Sequence, residues 1–165
     1  MKRLTWIRWL LLVLVLAACN QQTSAPTTPQ EGTEVRKAMT WTVLQQSGDY
    51  IQVGQDSQTN ASSGDTPTNS YLPALCLKQD GRARPSELSN PSEGWAKGEV
   101  ALTPKLPAII FSSLEQANAA CTEVFGAGWR MAEFADGFER AEQGGNFWAA
   151  GTLPTTRMWV ITSSA

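Results

Sequence analysis

Apolar residues run unbroken from position 9 to 16, behind the cations Lys2, Arg3 and Arg8, and end in Leu16-Ala17-Ala18-Cys19. The run is shorter than the ~20 apolar residues that span a bilayer. A charged start, an apolar stretch and small residues, in that order, form a secretory signal. Residues 20–37 (NQQTSAPTTPQEGTEVRK) then carry almost no large apolar group. Such a segment cannot bury enough surface to offset its ordering entropy, so a flexible tether with a span of ~20–25 Å is expected.

Past Ala38 the pattern turns periodic. Trp41, Val43 and Gln45 alternate with Thr42 and Leu44, which predicts a strand, and Tyr50, Ile51 and Val53 predict its hairpin partner across Ser47-Gly48-Asp49. The polar stretch 55–70 reads as a long loop. Further strands are predicted at 71–77, 99–102, 109–111, 146–149 and 157–161, with turn residues Asp80-Gly81 and with Pro104 and Pro107 between them. The principal helix is expected over about 112–125. Ser112 is its cap, Glu115 reaches back to the cap amide, and Gly126 terminates it. Leu114, Ala117, Cys121, Val124 and Phe125 then share one face. A second, weaker helix is predicted over 134–143. Together these elements describe one α+β domain, 38–165, with a small, mainly antiparallel sheet.

Composition narrows the chemistry. The chain has 13 Lys+Arg, 15 Asp+Glu and no histidine. Loss of residues 1–18 removes three cations, and an acidic remainder opposes nucleic-acid binding, which needs basic charge against phosphates. Without histidine, Ser-His-Asp, Cys-His and His-ligated metal mechanisms are excluded. Gly126-Ala127-Gly128 and Gly144-Gly145 lack the spacing of a phosphate cradle, and no SxxK-type pattern occurs.

Leu16-Ala17-Ala18-Cys19 resembles the lipobox of bacterial lipoproteins. The resemblance implies cleavage after Ala18, a diacylglycerol on the Cys19 thiol and further acylation of the new amine. Two or more acyl chains anchor stably where one holds marginally. The expected location is therefore the cell membrane or outer membrane, facing the periplasm or exterior. Asn20, in place of Asp, mildly favours the outer membrane.

With Cys19 acylated, Cys76 and Cys121 remain as a pair in an oxidising compartment and are expected to form a disulfide, burial as two free thiols being the alternative. No CxxC spacing suggests redox activity. Trp95, Trp129, Trp148 and Trp159, with Phe125, Phe134, Phe138 and Phe147, are expected mainly in the core. Glu133, Asp136, Glu139 and Glu142 recur every third residue, which predicts a solvated face and no metal site.

Ala117 and Cys121 on a helix, Gly126-x-Gly128-Trp129-Arg130-Met131, Phe147-Trp148 and Arg157-x-Trp159-Val160 resemble the C-type-lectin-like family. That likeness covers about a third of the chain and implies an α+β domain with a ligand-binding long-loop region. Two departures stand out: the chain has no Cys in its last strand, and it lacks the Glu-Pro-Asn, Gln-Pro-Asp and Trp-Asn-Asp motifs of calcium-dependent sugar binding. The expected role is a non-enzymatic binding or interaction module that needs no cofactor. It is held to the membrane by its lipid anchor and meets an envelope glycan or protein. The alternatives are a hydrolase of envelope polysaccharide acting through two carboxylates, of which the sequence selects no pair and for which loss of Glu133 or Asp136 is the test, and a purely structural envelope protein.

Overall fold

A computed structural model describes residues 36–90, 92–140 and 143–162. The leader, Cys19 and nearly all of the expected tether lie outside these residues, as does Glu142. Within them the elements run β1 (Lys37–Ala38), β2 (Thr40–Ser47), β3 (Tyr50–Gly54), β4 (Thr66–Pro67), β5 (Tyr71–Leu72), β6 (Leu75–Gln79), β7 (Gly94–Leu102) and β8 (Leu106–Pro107). A 3₁₀ turn (Ala108–Ile110), α1 (Leu114–Phe125), β9 (Arg130–Met131), β10 (Asn146–Ala150) and β11 (Met158–Trp159) complete the series.

The β2–β3 hairpin forms where alternation predicts it. Ser47 faces Tyr50 across a two-residue turn, and Gly48 takes the positive φ of 57° that this turn asks of its first residue. A bulge between Val43 and Gln45 then breaks the strict alternation. It turns Leu44 outward, leaving it 42% exposed, while Trp41 is fully buried.

Seven strands join in the order β11-β2-β3-β10-β7-β6-β9. Every pairing is antiparallel except β10 with β7. The sheet is thus mostly antiparallel, as expected, but larger than predicted. Residue alternation splits it between two cores. Leu75 and Leu77 join Ile51, Val53 and Phe147 in the main core. Cys76, pointing the other way, joins Ala117, Cys121, Met131 and Trp159. The first three residues of β6, Leu75, Cys76 and Leu77, are buried on both faces and therefore read as a continuous apolar run.

Several sequence expectations need correction. Pro73 divides the single strand expected over 71–77 into β5 and β6. β7 begins at Gly94, five residues early, because Lys97 at φ 55° interrupts its alternation. The strand expected at 109–111 is largely a 3₁₀ turn, and the loop expected at 55–70 contains β4. β4 pairs with β1, so Lys37 belongs to the domain and not to the tether.

No second helix forms among the described residues of 134–143. Gly137, at φ 86°, lies where a Cβ would come within 2.6 Å of Phe147 Cβ. Its carbonyl accepts from the Trp95 amide at 2.9 Å, so tertiary packing holds this segment in turns.

Helix α1 lies within its predicted bounds with its cap one residue later than expected. Ser113 Oγ accepts from the Gln116 amide at 3.2 Å. Gln116 Oε1 accepts from the Ser112 amide and hydroxyl at 3.0 and 2.6 Å. Ser113→Ala should therefore cost about 1 kcal/mol in chemical denaturation. A loss below a few tenths would show that this cap is not formed in solution. The buried stripe is also narrower than predicted: Ala117 and Cys121 are inside, whereas Leu114 and Val124 are 48% and 46% exposed.

Candidate functional site

A groove opens at the end of the domain where β1 enters. Thr68 joins two distant segments there. Its amide donates to the Arg36 carbonyl and its own carbonyl accepts from the Ile109 amide, each at 2.9 Å. Beneath lie Met39, Met131 and Trp159, all buried. Trp159 is fixed by its indole N–H, which donates to the Leu106 carbonyl at 2.9 Å.

One wall is the 61–64 segment, and the other is Ala108, Ile109 and Phe111. The enclosed volume is about 510 Å³, within the range of small-molecule sites. A neighbouring hollow of about 280 Å³ shares Phe111, Ser112, Ile161 and Thr162 and reaches Leu114 and Glu133.

The 61–64 wall owes its position to a polar cluster that no local sequence signal marks. Arg157 Nε donates to Thr40 Oγ1 at 2.7 Å and its Nη1 to Asp56 Oδ2 at 2.8 Å. Arg157 Nη2 lies 3.7 Å from Asp65 Oδ1. Asp65 also accepts from the Thr40 and Asn60 amides, each at 3.1 Å, and from Thr66 Oγ1 at 2.7 Å. Burial works to raise the pKa of Asp65, but the bonds from Thr40, Thr66 and the two amides outweigh it and hold the carboxyl below 3.8. For Asp56, burial is outweighed by the Arg157 guanidinium and by donors from Gln58 and Thr59, again lowering the pKa. Asn60 Oδ1 then accepts from the Ser62 and Ser63 amides at 3.0 and 2.9 Å, shaping the lip of the groove.

Cys76 and Cys121 stand at disulfide distance, with their Cα atoms 5.6 Å apart. They sit in the same core cluster as Ala108, Met131 and Trp159, which line the groove, so the pair lies beneath its floor.

The acidic series does not form a solvated face. Asp136 is only 9% exposed. It accepts from Arg130 Nη1 at 2.9 Å and from the Glu133 amide at 2.7 Å, and pairs with Arg130 Nη2 as well. Burial pulls the Arg130 pKa down, yet Asp136 and Glu133 outweigh it and raise it. Glu133 reaches the smaller hollow 3.6 Å from Arg130, and Glu139 is exposed. Arg130 thus gathers Glu133 and Asp136 as partners for one cation.

The aromatics are chiefly core. Trp95, Trp148, Trp159 and Phe147 are buried, while Trp129 is half-buried against Phe125 at 4.9 Å between ring centroids. Arg36, Lys37, Thr68 and Arg157, which shape the groove, were not candidates from sequence. The only trace of their role is that Arg36 and Lys37 are the first cations after the leader, just before the first periodic residues. Comparison with family models, with curated proteins and with solved structures finds no match.

Proposed function

We propose that this protein is an envelope lipoprotein. It is acylated at Cys19, faces the periplasm or exterior, and acts as a non-enzymatic binding module whose ligand enters the groove above Trp159. The groove carries this reading. It sets apolar groups (Met39, Ile109, Phe111) beside hydroxyls of Ser62, Ser63 and Thr68 and the cations Arg36 and Lys37, the mixture that fixes a ligand's orientation while burying its body. Among the described lining of both hollows, Glu133 is the one carboxylate, and it is shared with Arg130. This favours binding over a two-carboxylate hydrolysis. The C-type-lectin-like reading of the domain belongs to the same proposal, supported by one helix packed on a curled, mostly antiparallel sheet with a Cys on that helix. A covalent Cys76–Cys121 bond is likewise part of it.

Two measurements test the proposal separately. Intact mass of protein purified from membranes is expected to show loss of residues 1–18, added acyl mass and a two-hydrogen deficit from the disulfide. A full-length leader without acyl mass overturns the anchor. For the groove, capture of cell-wall glycan fragments or envelope proteins by the purified protein should fall at least about tenfold in Ser62→Trp. Ser62 donates only its backbone amide to the lip, so the fold survives the change while the mouth is filled. Unchanged capture by Ser62→Trp removes the groove from the function.

A further inference from the structure

Among the described residues, six large hydrophobic side chains stand well exposed: Leu44, Tyr71, Ile109, Ile110, Leu114 and Val124. Four of the six gather at one corner. Tyr71, 67% exposed, lies opposite Pro107 in the β5–β8 pair. Ile109 and Ile110, 64% and 48% exposed, follow directly in the 3₁₀ turn. Leu114, 48% exposed, joins them through Phe111, which borders both hollows. Apolar side chains concentrated in this way mark an interaction surface, whereas scattered ones do not.

Three cations frame the corner. Lys105 immediately precedes β8, and Arg36 and Lys37 reach the groove beside Ile109. Backbone bonds fix that neighbourhood, running from the Arg36 carbonyl to the Thr68 amide and from the Thr68 carbonyl to the Ile109 amide. None of the three cations takes part in an ion pair among the described residues. The acidic neighbours are Glu115, in the first turn of α1, and Glu133, which lines the smaller hollow with Leu114 and is paired with Arg130. This cationic and apolar face is set against a chain whose formal net charge is −2.

We infer that this corner docks on an anionic phospholipid surface. Ile109, Ile110, Leu114 and Tyr71 enter the headgroup–acyl boundary, and Arg36, Lys37 and Lys105 meet the phosphates. The inference rests on the anchor proposed above and adds an orientation to it. Sixteen residues lie between Cys19 and Arg36, so even a fully extended chain keeps this corner within ~60 Å of the acylated sulfur. The covalent path from the anchor enters the described domain at Arg36, within the patch itself. Tethering makes docking intramolecular, so a surface too weak to bind free lipid is still occupied. Isoleucine, leucine and tyrosine beside lysine and arginine are the residue types that settle at a headgroup interface. The groove then opens at the membrane surface.

The test uses the full mature protein as purified from membranes, incorporated in vesicles of phosphatidylglycerol with phosphatidylethanolamine or of phosphatidylcholine alone. Amide hydrogen exchange over residues 105–114 is expected to slow about tenfold on the anionic vesicles and much less on phosphatidylcholine, with the difference shrinking as salt rises. Both Ile109→Asp/Ile110→Asp and the charge reversal Arg36→Glu/Lys37→Glu should abolish the protection. The second pair touches only exposed side chains and guards against misfolding in the first. Acyl mass without protection at 105–114 overturns the docking and leaves the anchor standing. Absence of acyl mass overturns the anchor and, with it, the docking that rests on it. Protection that grows with protein concentration, independent of lipid charge, assigns the corner to a second copy of the chain and overturns the inference.

Discussion

With the proposed Cys76–Cys121 bond in place, Cys76→Ala/Cys121→Ala should lower unfolding stability by about 4 kcal/mol, the chain-entropy value for a closed loop of 45 residues. That is a large fraction of the 5–15 kcal/mol typical of a small domain. The loss should appear first in α1. This helix buries only Ala117 and Cys121, both small, and leaves Leu114 and Val124 outside. Its other fastenings are the half-buried Phe125 against Trp129 and two polar ones: Asn118 Oδ1 accepts from the Met131 amide at 3.0 Å, and Thr122 Oγ1 donates to the Trp129 carbonyl at 2.9 Å. Apolar burial is therefore too small to hold the helix once the sulfurs part. Urea titration of the oxidised protein and the double variant measures the difference, and hydrogen exchange over 114–125 locates it. A midpoint that does not move would mean that the helix is held by something other than the crosslink.

Arg157→Met is expected to cost about 3 kcal/mol, because it strands Asp56 and the nearly buried Asp65 without their cation. Asp56 loses a direct bond from Arg157 at 2.8 Å, while Asp65, 8% exposed against 29% for Asp56, loses only a cation 3.7 Å away. The pH dependence has a definite sign. Both carboxyls titrate below 3.8 in the folded protein. Their contribution is thus complete above the unfolded value near 3.8 and is lost as pH falls through the lower folded values. Asp56 depends on Arg157 for its depression, whereas Asp65 retains its bonds from Thr40, Thr66 and Asn60. The stability gap between wild type and Arg157→Met should therefore be widest above about pH 5 and close as pH drops below the unfolded value. Denaturant melts from pH 3 to 7 provide the check. A gap independent of pH would leave Arg157 acting through packing alone. Because this cluster positions residues 60–65, the variant should also weaken ligand capture at the groove.

The segments that read correctly from sequence share a physical property: their determining contacts are local. The β2–β3 turn requires a residue tolerant of positive φ, and Gly48 supplies it. The start of α1 is written in Ser112-Ser113-Leu114-Glu115-Gln116, although two overlapping cap registers are present there. Burial of Ala117 and Cys121 selects the later one. The misreadings occur where local preference met a long-range constraint. Residues 134–143 have helical composition, yet Gly137 must approach Phe147 and bond to Trp95, and a helix allows neither. Leu114 and Val124 fit an apolar stripe by spacing, but the helix touches the sheet through so narrow a strip that they remain in solvent.

The sequence by itself determined the α+β class, the hairpin and the principal helix, and it singled out the two inner cysteines that the fold brings to disulfide distance. Each of these follows from periodicity, a cap, a turn residue or a count. Tertiary structure alone decided the groove and its polar brace. Arg157 meets Thr40 across 117 positions and Asp56 across 101, and Thr68 bridges Arg36 to Ile109 through backbone atoms that carry no side-chain signature. Such contacts arise only after the sheet has closed. Closure brings donors and acceptors from opposite ends of the chain out of water together, and burial then leaves them no partners but one another.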